Sequence, residues 1–309
     1  MGRRAICYTT SLTIWSCRCT YFGSKPAVSA TFAIQISPDC LICKGNSLPP
    51  ERPLLETPDP RYQILVTDDG SRSLQDLILN ESYHSGSGAA AESYVVYLRN
   101  SAVVDLLTAD HDTRVFEYGF GTGMNFLMTA ALAEARNAPL YFESWEYRLL
   151  PKEVLQLLNL PEAIRAAQQL GWLMECGEHA EMIWNRFLHF RTSLDSNQHG
   201  SYVFDVAPNI TLNLMLGDAT SVQSHGNAKP FDAVYFDAFS PQTNPDLWTN
   251  EVLSTAYKML RPGGKLTTYC VNSYVRKLMT ECGFKVSKGP GPPKGKREVM
   301  IASKESDTI

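Results

Sequence analysis

The chain has 309 residues, 44% of them hydrophobic and 19% charged, with a formal net charge of −4. That is ordinary for a soluble globular chain, the length suffices for a real core, and no apolar run approaches the roughly 18 residues of a membrane-spanning helix. The modest net charge conceals an asymmetry: between Arg261 and Lys304 ten Lys or Arg stand against Glu281 and Glu298, which suits that end of the chain to an anionic partner.

Cys7, Cys17, Cys19, Cys40 and Cys43 crowd the first 43 residues, and only Cys176, Cys270 and Cys282 lie beyond, so the body is expected to be reduced and cytoplasmic. Cys17-x-Cys19 and Cys40-x-x-Cys43 have spacings that zinc could use, but no histidine nearby completes a ligand set, and no metal is assigned. Residues 1–55 are left unassigned. They hold no acid before Asp39 and are rich in Ser, Thr, Arg and Cys, a composition shared by transit peptides and by an extension ahead of a shorter native start. Met124 is the next methionine after Met1, so a shorter start would need a non-AUG codon. Pro49, Pro50, Pro53, Pro58 and Pro60 mark a linker.

Residues 56–110 form an amino-terminal segment. Tyr62 to Gly70 reads as a strand ending in an Asp-Gly turn, with Ser73 to Leu79 returning as the second arm of a hairpin. After Glu81-Ser-Tyr83-His84-Ser85-Gly86, the spacing of Ala89, Ala90, Tyr94, Val95 and Leu98 predicts a helix over 88–98, and a second helical stretch ends near Leu107. His84 has two readings, a catalytic base or a hydrogen-bonding loop residue.

Residues 111–303 carry the pattern around which the chain is organised. Val115-Phe-Glu117-Tyr-Gly119-Phe-Gly121-Thr-Gly123-Met-Asn125 is an apolar strand ending in an acid and running through three alternate glycines into a helix over 125–136. Glycines there let the backbone turn sharply and approach a ligand closely. The dinucleotide fingerprint Gly-x-Gly-x-x-Gly fails at Met124. Leu140 to Glu146 is a second strand ending in an acid that could accept ribose hydroxyls. Helices over 151–169 and 178–190 and a polar turn over 195–200 then form an insertion between the second and third strands. Thr211 to Asp218 and Phe231 to Asp237 are further strands ending in acids. A helix from Asn244 to Leu260 is stopped by Arg261-Pro-Gly-Gly264; a fifth strand covers 265–270 and a helix 272–282. Two closing strands, 284–287 and 297–302, flank a basic Gly/Pro/Lys loop. In open α/β sheets ligands bind beyond the carboxyl ends of the strands, so Glu117, Glu146, Asp218 and Asp237 should converge on one crevice. Asp218 could there accept an adenine amino group, and Asp237 could bind and deprotonate an amine.

Gly119-Phe-Gly-Thr-Gly-Met-Asn125, Asp237-Ala-Phe-Ser-Pro-Gln-Thr-Asn-Pro-Asp-Leu-Trp248, Arg261-Pro-Gly-Gly264 and Lys294-Gly-Lys-Arg-Glu-Val-Met300 together resemble the methyltransferase domain of the MnmC family, and Glu81 to Ser85 is similar to its amino-terminal segment. The resemblance covers roughly Tyr62 to Ala302. It implies a Rossmann-like α/β methyltransferase sheet with helices on both faces, a small amino-terminal hairpin and the insertion noted above. It also implies S-adenosylmethionine (SAM) as cofactor, and N-methylation of the 5-aminomethyl group of wobble (2-thio)uridine in the anticodon region of tRNA. Carried onto this chain, the cofactor site takes in Tyr83, Glu117, Gly119, Gly121, Gly123, Asn125, Glu146, Asp218 and Asp237, with Asp237 the catalytic residue. Phe239 covers the uracil ring or packs in the core, and Lys294, Lys296 and Arg297 meet the tRNA. The stand-alone form is expected, with no flavin domain after Ala302. Two other readings share the pattern: an aminopropyltransferase or small-amine methyltransferase, the former wanting an acid where Thr122 or Met124 stands, and a non-catalytic RNA-binding module that has kept a SAM pocket.

Overall fold

The computed structural model describes residues 52–169, 171, 176–195, 198–223 and 229–306; the cysteine pairs weighed for zinc lie outside them. The first element is a small antiparallel sheet in the order β1-β2-β3-β4, made of β1 (Leu54–Glu56), β2 (Tyr62–Val66), β3 (Arg72–Asp76) and β4 (Glu81–Ser82). The expected hairpin is its centre, with Tyr62 opposite Asp76 and Val66 opposite Arg72. Within the proline-marked linker, Leu54, Leu55 and Glu56 pair with β2 as an edge strand. β3 ends earlier than expected because the Asp76 carboxylate accepts the N–H groups of Ile78 and Leu79 at 2.9 and 3.0 Å, curling the chain off the ladder.

α1 (Ala89–Glu92) runs directly into a π-helix, Ser93–Arg99, where a single α-helix was expected. The Asn100 N–H donates to the Val95 carbonyl at 3.2 Å, the i to i+5 bond of the wider turn. α2 (Val103–Thr108) follows.

The glycine loop lies in a βαβ unit of β5 (Thr113–Tyr118), α3 (Met124–Arg136) and β6 (Leu140–Glu146). The insertion holds α4 (Lys152–Leu158), α5 (Leu160–Gln169), α6 (Gly177–Thr192) and β7 (Gly200–Ala207). Then come β8 (Ile210–Leu216), β9 (Phe231–Phe236), α7 (Asn250–Met259), β10 (Leu260–Thr268), α8 (Ser273–Glu281), β11 (Lys285–Pro290) and β12 (Glu298–Ser303). The sheet order is β11-β12-β10-β9-β5-β6-β8-β7. From β10 to β8 the neighbours are parallel, and β7 and the β11–β12 hairpin add antiparallel edges. One face packs on α3 and α6 through Phe126, Phe142, Phe187 and Leu212, and the other on α7 and α8 through Phe236, Leu253, Leu266 and Met279.

Three local expectations change. β7 was not foreseen; it returns against β8 through a turn at Pro208 and Asn209, and its outward side chains Ser201, Val203 and Asp205 leave a weak apolar signal. Arg261-Pro-Gly-Gly264 lies inside β10 as a bulge, with the chain already extended from Leu260. Gly289 and Pro290 belong to β11, so the irregular basic loop is only 291–297.

Asp232, 4% exposed, ties the base of this sheet together. It accepts the Arg114 backbone N–H at 2.8 Å and the Arg261 Nε–H at 2.5 Å, and lies 3.1 Å from His111 Nε2. Asp232→Ala should lower unfolding stability by about 2–3 kcal/mol, because two donors lose a largely buried anionic acceptor; a urea midpoint within error of wild type would refute this.

Candidate active site

A cavity of about 620 Å³ opens where β5, β6, β8 and β9 end, lined by residues that directly follow each strand. Gly119, at φ +92°, lies so close to β9 that a Cβ there would sit 2.8 Å from the Asp237 carbonyl oxygen. Gly121, at φ +52°, faces the Tyr83 ring, and its N–H donates at 2.9 Å to Glu146 Oε2. Any side chain at these two positions would collide or strain the backbone, so the course of the loop along the cavity requires glycine at both. Gly123 caps α3 at φ +81° and does not itself line the cavity.

The acids divide into two groups. Glu146, Asp218 and Asp237 line the cavity, joined there by Asp246, against the guanidinium groups of Arg61 and Arg148. Arg61 is already paired with the buried Asp76 at 2.6 Å, and Arg148 donates to the Tyr62 hydroxyl at 3.0 Å. The cavity is therefore suited to a cation. Each Glu146 oxygen accepts one backbone N–H, from Gly121 and from Arg148, both at 2.9 Å, leaving lone pairs for a diol. Burial pushes the Glu146 carboxyl above its ordinary range, and the backbone donors oppose that rise. Asp218 accepts from the Thr220 N–H at 2.9 Å and hydroxyl at 2.8 Å, which points it across the short turn after β8.

Glu117 stands apart. It is 0% exposed and does not line the cavity; Asn125 Nδ2 donates to its Oε1 at 3.0 Å and Ser144 Oγ to its Oε2 at 2.6 Å. The structure thus places this predicted cofactor ligand beneath the loop. The same Asn125 nitrogen donates at 2.8 Å to Asp237 Oδ2, while the Tyr97 hydroxyl donates at 2.5 Å to Asp237 Oδ1. Burial drives both Glu117 and Asp237 well above the usual carboxylate range. Tyr97 and Ser144 were missed. Ser144 could have been found as the polar inward residue of the Leu140, Phe142, Ser144 alternation, but Tyr97 leaves no periodic signal because it sits in the π-helix.

Tyr83 and Phe239 line the cavity and pack edge to face, ring centroids 5.0 Å apart. His84 also lines it, with its backbone N–H donating to Ser73 Oγ at 3.0 Å and Nδ1 3.3 Å from the same oxygen. Burial pushes the His84 imidazole down to about 4, so it is neutral at physiological pH. Lys294, Lys296 and Arg297 are exposed and outside the lining. Lys296 Nζ lies 4.6 Å from the ring centroid of Tyr269, a lining residue whose hydroxyl donates to the Ala238 carbonyl at 3.0 Å. Among the described residues no group of ligands could hold a metal ion, and no helix is long and apolar enough to cross a membrane.

A protein-family profile described as S-adenosyl-L-methionine-dependent methyltransferase matches residues 181–305. The tRNA 5-methylaminomethyl-2-thiouridine biosynthesis bifunctional protein MnmC of Campylobacter hominis is 31% identical over 233 residues, covering 74% of this chain and 31% of the relative. Its counterpart in Pseudomonas entomophila is 38% identical over 197 residues, covering 62% of this chain and 27% of the relative. This chain therefore spans about a third or less of these curated relatives. The crystal structure of MNMC2 from Aquifex aeolicus matches with a TM-score of 0.62 at 27% identity, over 84% of this chain and 73% of that one.

With its parallel sheet, glycine loop and acid-lined crevice, the protein is a SAM-dependent methyltransferase. Within that class its sequence and fold are similar to those of the MnmC proteins named above.

Glu117 gives a pH test with a fixed sign. Burial raises its folded-state pKa above the unfolded value, so between the two the native state holds the extra proton. Stability from this group is whole below the ordinary carboxylate range and falls as pH rises toward the raised value. Glu117→Gln should remove that fall, so the variant gains on wild type between pH 5 and 8 in thermal unfolding; parallel curves would contradict the assignment.

Proposed function

We propose that the protein transfers a methyl group from SAM to the aminomethyl nitrogen on C5 of wobble (2-thio)uridine in tRNA. The observation that carries this reading is a half-buried carboxyl, Asp237, on an acid-lined cavity beside two aromatic rings, in a chain whose relatives are named for 5-methylaminomethyl-2-thiouridine biosynthesis. When bound, SAM supplies a methyl carbon on a sulfonium that an amine can attack in line.

This chain's residues do the rest. The Gly119–Gly121 backbone, Glu146 and Asp218 would hold the cofactor's methionine, ribose and adenine portions. Phe239, with Tyr83 packed on its edge, covers the uracil ring, as aromatic side chains do with unstacked bases. An amine attacks only through its lone pair, so an ammonium must first lose a proton, and Asp237 accepts it. A carboxyl held above its ordinary range is a better base than a solvated one, which is what burial provides here. Orientation supplies the remainder, since near-attack placement is worth more than proton transfer alone. Lys296 sits over Tyr269 at the mouth, and Lys294 and Arg297 extend the basic loop, where anticodon phosphates would be neutralised. With tRNA as substrate the place of action is the cytoplasm.

The direct test is nucleoside analysis of tRNA that carries the unmethylated aminomethyl group, after incubation with protein and SAM. A methyl gain on that nucleoside is expected; an aminopropyl gain or an unchanged nucleoside would overturn the reading. Asp237→Asn keeps the shape and loses the base, and should cut single-turnover methylation by roughly 100-fold or more with SAM affinity retained, whereas a near wild-type rate would make Asp237 structural. Lys294→Ala with Lys296→Ala should raise the Michaelis constant for tRNA and flatten its salt dependence by a slope of about 0.7–0.9 per lost phosphate contact. Unchanged binding and slope would move the contact to other cations.

A further inference from the structure

We propose that Tyr97 is a positioning residue for Asp237: its hydroxyl clamps one carboxylate oxygen while Asn125 clamps the other, so that the remaining lone pairs face the amine. The proposal deepens the methyl-transfer reading and rests on it.

Tyr97 is 0% exposed and absent from the cavity wall, so it can act only through Asp237. The two donors take different oxygens, Tyr97 at 2.5 Å on Oδ1 and Asn125 at 2.8 Å on Oδ2. A carboxylate held at both oxygens cannot swing about its χ angles, and each oxygen keeps a lone pair for substrate. The backbone is shaped for this reach. One extra residue in a helical turn rotates everything after it by about 100° relative to a continuous α-helix, and the π-turn places Tyr97 against β9, its ring 5.5 Å from that of Tyr235. Asn100, which closes the turn, donates from Nδ2 to the Pro290 carbonyl at 3.0 Å, fixing the end of the π-helix to β11. π-turns are uncommon and concentrate at functional sites.

Other titratable groups surround the acid. Glu92 of α1, itself raised by burial, acts on Asp237 from the same helical run, and Glu117 of β5 is linked through Asn125. From the cavity side come Tyr83, His84 and Glu146, and from the end of β10 comes Tyr269 with Lys296 over its ring. Burial is the largest influence on Asp237 and raises it, Glu92 adds to the rise, and the donors Tyr97 and Asn125 oppose it. Losing the Tyr97 hydroxyl therefore raises it further.

Tyr97→Phe keeps the ring and removes the donor. In protein without cofactor, carbon-13 NMR of labelled aspartate carboxyls, with Asp237 assigned by difference from Asp237→Asn, should show its titration midpoint move to higher pH by about one unit. In single-turnover methylation the acid limb of the rate should move the same way, with a roughly 10-fold fall near neutrality and unchanged SAM affinity by calorimetry. A purely structural role would lower the rate at every pH and leave the limb in place, which would overturn the proposal, as would an unmoved carboxyl midpoint. If Tyr97→Phe does not fold, 3,5-difluorotyrosine at position 97, a stronger donor, should move the midpoint down; an upward or absent shift would count against it. A wild-type protein that folds but does not methylate the tRNA would refute the functional reading, while the carboxyl titration would still decide the role of Tyr97.

Discussion

One side-chain nitrogen joins two acids of the site, one buried beneath the glycine loop and one on the cavity wall. Asn125 Nδ2 donates to Glu117 at the end of β5 and to Asp237 at the end of β9, and it does so from the first turn of the helix that the glycine loop launches. Two neighbouring strands and a helix are thereby fixed relative to one another at the point where a ligand must fit. Each carboxylate would be costly to bury alone. Shared donors, Ser144 on one side and Tyr97 on the other, offset part of that cost. The rest is left as raised proton affinity, and a cation entering the cavity lowers it.

That residual charge unites the fold with its chemistry. SAM and an aminomethyl group are both cations, and the cavity presents four carboxylates against two guanidinium groups that already have partners. The small amino-terminal sheet belongs to the same design. Glu81 of β4 accepts the Ser240 N–H at 2.9 Å and lies 3.2 Å from its hydroxyl, which fixes the loop carrying Asp237 and Phe239, and Tyr83 just beyond packs on Phe239. A segment outside the parallel sheet therefore sets one wall of the cavity.

The parallel strands were legible in the sequence because each is an apolar run ending in an acid or a glycine turn, signals that depend only on local chemistry. The convergence of Glu146, Asp218 and Asp237 followed from topology alone, as strands that run parallel must end at the same edge. Glu117 was placed with them by that logic and lies one layer deeper, since a strand's last side chains alternate between its faces and cannot all reach the cavity. The Tyr97 contact and the π-turn that makes it were not legible, because an apolar pattern over 88–98 satisfies an α-helix equally well. The edge strand β7 was hidden for a related reason: half of it faces outward and carries polar residues.

In the proposed reaction this acid-held crevice brings the methyl group to an amine that Asp237 holds and deprotonates. A crystal structure with a SAM analogue bearing an amine in place of the sulfonium methyl tests it most directly. The expected complex has the analogue's ribose hydroxyls on Glu146 and its amine directed toward Asp237, with Asn125 and Tyr97 still bound to that carboxylate. An analogue bound with its amine turned away from Asp237, or bound outside the crevice, would contradict it.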